Sequence, residues 1–280
     1  MVSQLIGAVV RAVMVFIVIS TPSLLIPWTG AETIQVVMLL GVFAALFTFS
    51  EYSSNYPALI EFRDAAPFNR IRVLVLFAML FALSLVAVGD ATGSTLALVL
   101  NAAGLIIGNA LDFTGSPLRM LLQQVPEDAP AIIGVRAQIM AGLAALIGLF
   151  TITSFAILTR LQVWPRPKST FNVWINLPTF DPTRGGDIVT RLTRESRVNI
   201  LLGFLLPFVV PIAAEFASKN LGLSIFNSTQ TMVWIIALWM FLPVSMFMRG
   251  MAMARVAEMI SARRRRLVTD PAPNEDFLTA

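Results

Sequence analysis

The residues whose types and spacing could do chemistry here are carboxylates set beside arginines. Glu51, Glu61 and Asp64 stand close to Arg63 and Arg70, and Asp181 lies further along. A carboxylate can act as a general base, and a neighbouring guanidinium can hold a phosphate. Such a pairing would suit a lipid-processing enzyme at a membrane surface. A solvated face produces the same pairing more often, so no residue is assigned as catalytic. The chain contains neither histidine nor cysteine. Imidazole-ligated haem, zinc sites of the usual ligand set, thiolate chemistry and histidine-based triads therefore fall away. No cofactor and no metal is expected.

A second group of polar residues lies inside apolar sequence. Asn101, Gly104, Gly108 and Asp112 follow one another at spacings of three or four, which places them on one helical face, with Asn109 beside them. Gly104 and Gly108 form a GxxxG pair, the spacing that lets two membrane helices approach closely. The face is expected either to pack on another helix or to line a cavity. Ala141, Ala144, Ala145 and Gly148 offer a small-residue surface for the first case. Glu215 is the main acid within an apolar block, and Lys219 four residues later is placed to neutralise it.

A third signal is the stretch FNVWINL, residues 171–177. Phe171, Val173, Ile175 and Leu177 alternate with Asn172 and Asn176, and the period of two predicts a strand. Trp174 breaks the alternation and is expected to face outward. The strand belongs to a loop over 159–197 with a Pro-rich start, the turn LPTFDPTRGGD and a helix capped by Asp187. Its apolar face is expected to rest on the protein's own helix ends or to receive a partner. Trp174, Phe171, Val173, Ile175 and Phe180 are the candidate docking residues.

The elements that must position these residues follow from composition. Hydrophobic residues make up 57% of the 280-residue chain and charged residues 13%, with a mean hydropathy of +0.80. That leaves too little polar surface for a soluble globule. About 20 apolar residues span a bilayer as a helix. Six spans are predicted, near 12–28, 33–50, 72–89, 137–158, 199–217 and 230–248, within a single domain over 1–280. The first is read as a retained helix rather than a cleaved signal.

A seventh apolar block, 96–113, is read from charge. If it enters and leaves the membrane on one side, 17 of the 20 Lys and Arg residues share the other side, and only Arg119, Arg136 and Lys219 are left across from them. A basic bias of this kind marks the cytoplasmic side. The expected fold is thus all-α and polytopic, with six transmembrane helices, one re-entrant or half-inserted helix and a small strand-containing cytoplasmic loop. Both termini are expected to be cytoplasmic, in a bacterial inner membrane.

Arg263, Arg264, Arg265 and Arg266 continue the last span into a basic-to-acidic tail over 263–280. Four arginines beside a bilayer are expected to hold anionic lipid headgroups, at about 1 kcal/mol each. No nucleic acid is expected, for want of a basic domain or an aromatic platform. The expected function is a non-enzymatic scaffold or accessory subunit acting through its cytoplasmic face, with a protein partner at 159–197. A small transporter or channel using the polar stripe is the alternative, and an interfacial lipid-processing enzyme the second.

Overall fold

A computed structural model describes residues 2–161, 163–165, 171–181, 185–222 and 225–269. Its helices are α1 (Val2–Leu25), α2 (Ala31–Ser53), α3 (Phe68–Thr92), α4 (Thr95–Leu111), α5 (Pro117–Leu122), α6 (Ala131–Arg160), α7 (Val173–Asn176), α8 (Ile188–Leu221) and α9 (Thr229–Thr269), with a 3-10 turn at Ile225–Asn227. Six of them, α1, α2, α3, α6, α8 and α9, are long and apolar enough to cross a membrane. Their outward faces carry large apolar side chains. Leu39, Leu40, Phe43 and Leu46 on α2 and Leu201, Phe204, Val209 and Phe216 on α8 are all exposed. This inversion of the soluble pattern, with six spans, is the make-up of a polytopic integral membrane protein.

Two ends of the bundle can be told apart. Gln4 of α1 reaches the last carbonyls of α2, and Arg249 of α9 reaches Glu61 in the α2–α3 connection. The start of α8 meets the far half of α9 through Asp187 and Arg264. This is the basic end. At the opposite end Gln230 of α9 donates to Ser23 of α1 at 2.6 Å, and Glu215 of α8 pairs with Lys219.

Helix α4 keeps to that opposite end. Ala97 and Asn101 lie against Gly89, near the close of α3, while Asn109 accepts a hydrogen bond from Gln138 Nε2 in the first third of α6. Between them α4 and α6 cross backbone to backbone. A Cβ on Gly142 would sit 2.2 Å from the Gly104 carbonyl oxygen and 2.4 Å from the Gly108 nitrogen. The GxxxG face therefore packs on α6 at Gly142. Gly148, which the sequence offered as part of the partner surface, instead faces Met240 and Val244 of α9.

Helices α8 and α9 form a long antiparallel pair. The first four buried positions of α8, Leu192, Ser196, Asn199 and Gly203, recur every three or four residues and make one narrow seam, with Pro211 buried further along. Prolines do not break these helices. Pro211 has no N–H, so the carbonyl four residues earlier, at Pro207, loses its helical donor. The indole Nε1 of Trp239 on α9 supplies one at 2.9 Å.

The strand predicted at 171–177 is not formed: Val173–Asn176 is one helical turn, and no strand occurs among the described residues. The cause is Asn172. Its side-chain oxygen accepts from Ile175 N at 3.4 Å and its backbone carbonyl accepts from Asn176 N at 3.1 Å, which closes the chain into a turn.

Candidate functional site

The basic end is organised by one carboxylate. Glu61 sits in the connection between α2 and α3 with its side chain 10% exposed. Arg249 grips it with two parallel bonds, Nε to Oε2 at 2.6 Å and Nη2 to Oε1 at 2.8 Å. This fork geometry is the strong form of the pair. The hydroxyl of Thr179 donates to the same carboxylate, and Asn69 Nδ2 donates to the Glu61 backbone carbonyl at 2.8 Å. Arg249 Nη1 also lies 3.7 Å from Glu195 of α8. Glu61 thus ties together the 61–69 turn, the 171–181 segment, α8 and α9. Arg72, one turn into α3, shares the field of Glu61 with Arg249, and its guanidinium lies 5.7 Å from the Phe68 ring.

The 54–64 connection is held from both sides. Glu51, buried at the end of α2, accepts from the backbone N–H groups of Ala58, Leu59 and Ile60 at 3.0 Å each. Arg63 donates back to the carbonyls of Glu51, Ser54 and Asn55 and pairs with Asp64 at 3.2 Å. Phe62 takes a left-handed backbone (φ 54°), a costly conformation for a bulky residue. Asn176 stabilises it: its backbone carbonyl accepts from Phe62 N at 2.6 Å and its side-chain oxygen from Asp64 N at 3.1 Å.

Beneath these polar bonds lies an aromatic cluster. Phe62, Phe68, Phe155 and Trp164 are all within 2% of full burial, with Phe62 and Phe68 centroids 4.5 Å apart. Trp164 Nε1 donates to Ala65 O at 3.0 Å, which satisfies its one polar atom. Phe171 packs on Phe62, and Leu177 and Phe180 are buried in the same core. No protein family, no curated protein and no solved structure matches this chain. Its function is therefore argued from the geometry alone.

Of the sequence candidates, Phe171 and Phe180 lie on the protein's own core, and Arg191 stacks over the Phe180 ring at 4.6 Å. Ile175 is half-buried; the side chains of Val173 and Trp174 lie outside the described residues. The polar stripe is spread along α4. Asn101 bonds its own helix at Ala97 O, Asn109 bonds Gln138, and Asp112 lies 3.1 Å from Arg119. Gly104 and Gly108 are closed off by α6, which leaves no room for a solute at that crossing. In the basic run Arg263, Arg264, Arg265 and Arg266 are all exposed, and Arg264 pairs with Asp187. Among the described residues no group of His, Cys, Asp and Glu could hold a metal ion.

Three of the four acids weighed for an enzymatic role are engaged structurally: Glu51 by three amides, Glu61 by Arg249 and Thr179, Asp64 by Arg63. The residues that sequence reasoning passed over are Arg249, Thr179, Asn176 and Trp164. Arg249 had one visible signal, since it ends an uncharged run from Thr229 to Met248. A charge there must find a partner or leave the membrane.

Beside this cluster a pocket of about 470 Å³ opens among α1, the end of α2 and the 54–64 connection, lined by Gln4, Arg11, Tyr52, Asn55, Arg63 and Asp64.

Proposed function

We propose that this protein is a non-enzymatic membrane scaffold or accessory subunit that presents a preorganised cytoplasmic platform. The observation that carries this reading is the interlock at Glu61, where one carboxylate joins four separate segments through Arg249, Thr179 and neighbouring bonds. Rigid presentation lowers the ordering cost of binding, which is what a docking subunit needs. Carboxylates already bound to arginine and backbone amides are poor candidates for proton transfer, and this weighs against the enzymatic reading.

The membrane arrangement that goes with this function is six spans with α4 half-inserted from the outer side. The basic end is cytoplasmic, as are both termini, and the membrane is the bacterial inner membrane. The charge bias supports this orientation. The partner-facing element is α7 with Trp174, because tryptophan is enriched among residues that dominate binding. The arginines at 263, 264, 265 and 266 are, in this reading, the residues that meet anionic headgroups.

Purification in mild detergent followed by mass spectrometry tests the reading. A stoichiometric partner is expected with the wild-type chain, and Trp174→Ala is expected to lower its retention more than tenfold at unchanged membrane insertion. A chain that runs alone and monomeric in mild detergent, unaltered by Trp174→Ala, overturns the proposal.

A further inference from the structure

The pocket among α1, the end of α2 and the 54–64 connection has a chemistry of its own. Arg11 lies seven residues into the first span, about 10 Å along α1 from Gln4. Its neighbours Val10, Val13 and Met14 are about half exposed, so the helix around it is lipid-facing. Arg11 turns back toward the basic end: Nη1 donates to Gly7 O at 2.8 Å, and the guanidinium lies 4.6 Å from the Tyr52 ring centroid. This is the posture of an arginine reaching out of hydrocarbon to the interface.

Among the described residues its charge is left without a counterion. Arg63 is held by Asp64 and three backbone carbonyls, and among the described residues no carboxylate lies within ion-pair distance of Arg11. Of its five donor hydrogens, Gly7 accounts for one. The pocket therefore lines a fixed guanidinium with the polar groups of Gln4, Asn55 and Tyr52, has a surplus of one positive charge, and borders an apolar helix face. Its volume falls in the range of small-ligand sites.

We propose that this pocket binds a phosphate-bearing headgroup, that of an anionic glycerophospholipid of the surrounding leaflet. The phosphate sits against the open donors of Arg11, the Asn55 amide meets the headgroup oxygens, the Gln4 side-chain oxygen accepts from a glycerol hydroxyl while its nitrogen stays on the Tyr52 and Ser53 carbonyls, and the acyl chains run along Val10 and Met14. A diester phosphate supplies the counterion that Arg11 lacks, and the lipid-facing flank favours a ligand with apolar tails over a free anion.

Native mass spectrometry of the full chain tests this, with phosphatidylglycerol and phosphatidylcholine offered together and glycerol 3-phosphate as the water-soluble arm. The wild type is expected to retain one phosphatidylglycerol at least tenfold over phosphatidylcholine. Arg11→Gln is expected to remove that preference at unchanged melting temperature, and Arg11→Lys to restore part of it. Should Arg11→Gln fail to assemble, Gln4→Glu at the pocket mouth reads the same loss. Equal retention of the two lipids, or a preference that survives both Arg11→Gln and Gln4→Glu, overturns the site. If glycerol 3-phosphate displaces the lipid and protects as well, with the same Arg11 dependence, the phosphate site stands and its lipid source is overturned.

Discussion

At the scale of single residues, the weight of the basic end falls on Glu61 and Arg249. Removing one member of a largely desolvated pair leaves the other charge uncompensated, which costs more than the pair itself contributes. Glu61 and Arg249 are 10% and 23% exposed at the side chain, so solvent softens the penalty. Arg249→Met is expected to destabilise the protein by roughly 2–3 kcal/mol, and Glu61→Gln by less, because the amide still accepts from Thr179. Thermal unfolding in detergent checks both, and the double variant should fall short of the sum of the singles. A second residue-scale expectation concerns acid. Arg264, and then the Thr190 amide, hold the Asp187 carboxyl below the usual aspartate range. Because the folded value is the lower one, the contribution is complete above an ordinary aspartate pKa of about 3.9 and is lost as pH falls through the folded value. Protection factors of the amides at 187–192, taken relative to the intrinsic exchange rate at each pH, should therefore be constant from neutrality to about pH 5 and fall below about pH 4, and Asp187→Asn is the control for that fall. Glu61 was visible in the sequence as an acid among arginines, but its partner was not. Arg249 lies 188 residues away, and only the tertiary fold brings the two together.

At the scale of elements, close approach decides more than polarity. The Gly104 and Gly108 face was legible from spacing alone, whereas its partner on α6 was not. Ala141, Ala144, Ala145 and Gly142 are all small, and which of them meets α4 depends on the rotation of α6 in the bundle. Gly142→Leu would drive a side chain into the backbone of α4 and is expected to cost at least about 3 kcal/mol, or to prevent α4 from seating. Gly134→Leu, on the same helix but in open space, should be nearly neutral. Comparing yield and melting temperature of the two separates packing from helix propensity. The α7 segment shows the opposite failure of reading. A period of two over seven residues suggested a strand, and the capping side chain of Asn172 and the grip of Asn176 on the 62–64 turn overrode it. Local hydrogen bonding from asparagine outweighed alternation in a segment too short to pair.

At the scale of the whole molecule, composition and apolar run lengths made the class and the six spans plain; five helices extend past both predicted apolar limits, while α1 begins earlier and ends at Leu25, short of the predicted 28. The segregation of charge was legible in the same way, since Arg63, Arg249 and Arg264 gather at one end and Arg119 and Lys219 at the other. Reporter fusions after Arg70 and Ala280 are expected to read cytoplasm, and those after Gly93 and Pro126 the outer side. Opposite sides for Gly93 and Pro126 would mean that the 96–113 block crosses fully.

Arg249 stands at the midpoint of α9, with 20 residues on either side of it between Thr229 and Thr269. Each half is about 30 Å long. The arginine-bearing half is held at two points, at Arg249 by Glu61 and at Arg264 by Asp187, so the clamp at the centre and the tie near the end together fix the direction in which that half leaves the apolar helices.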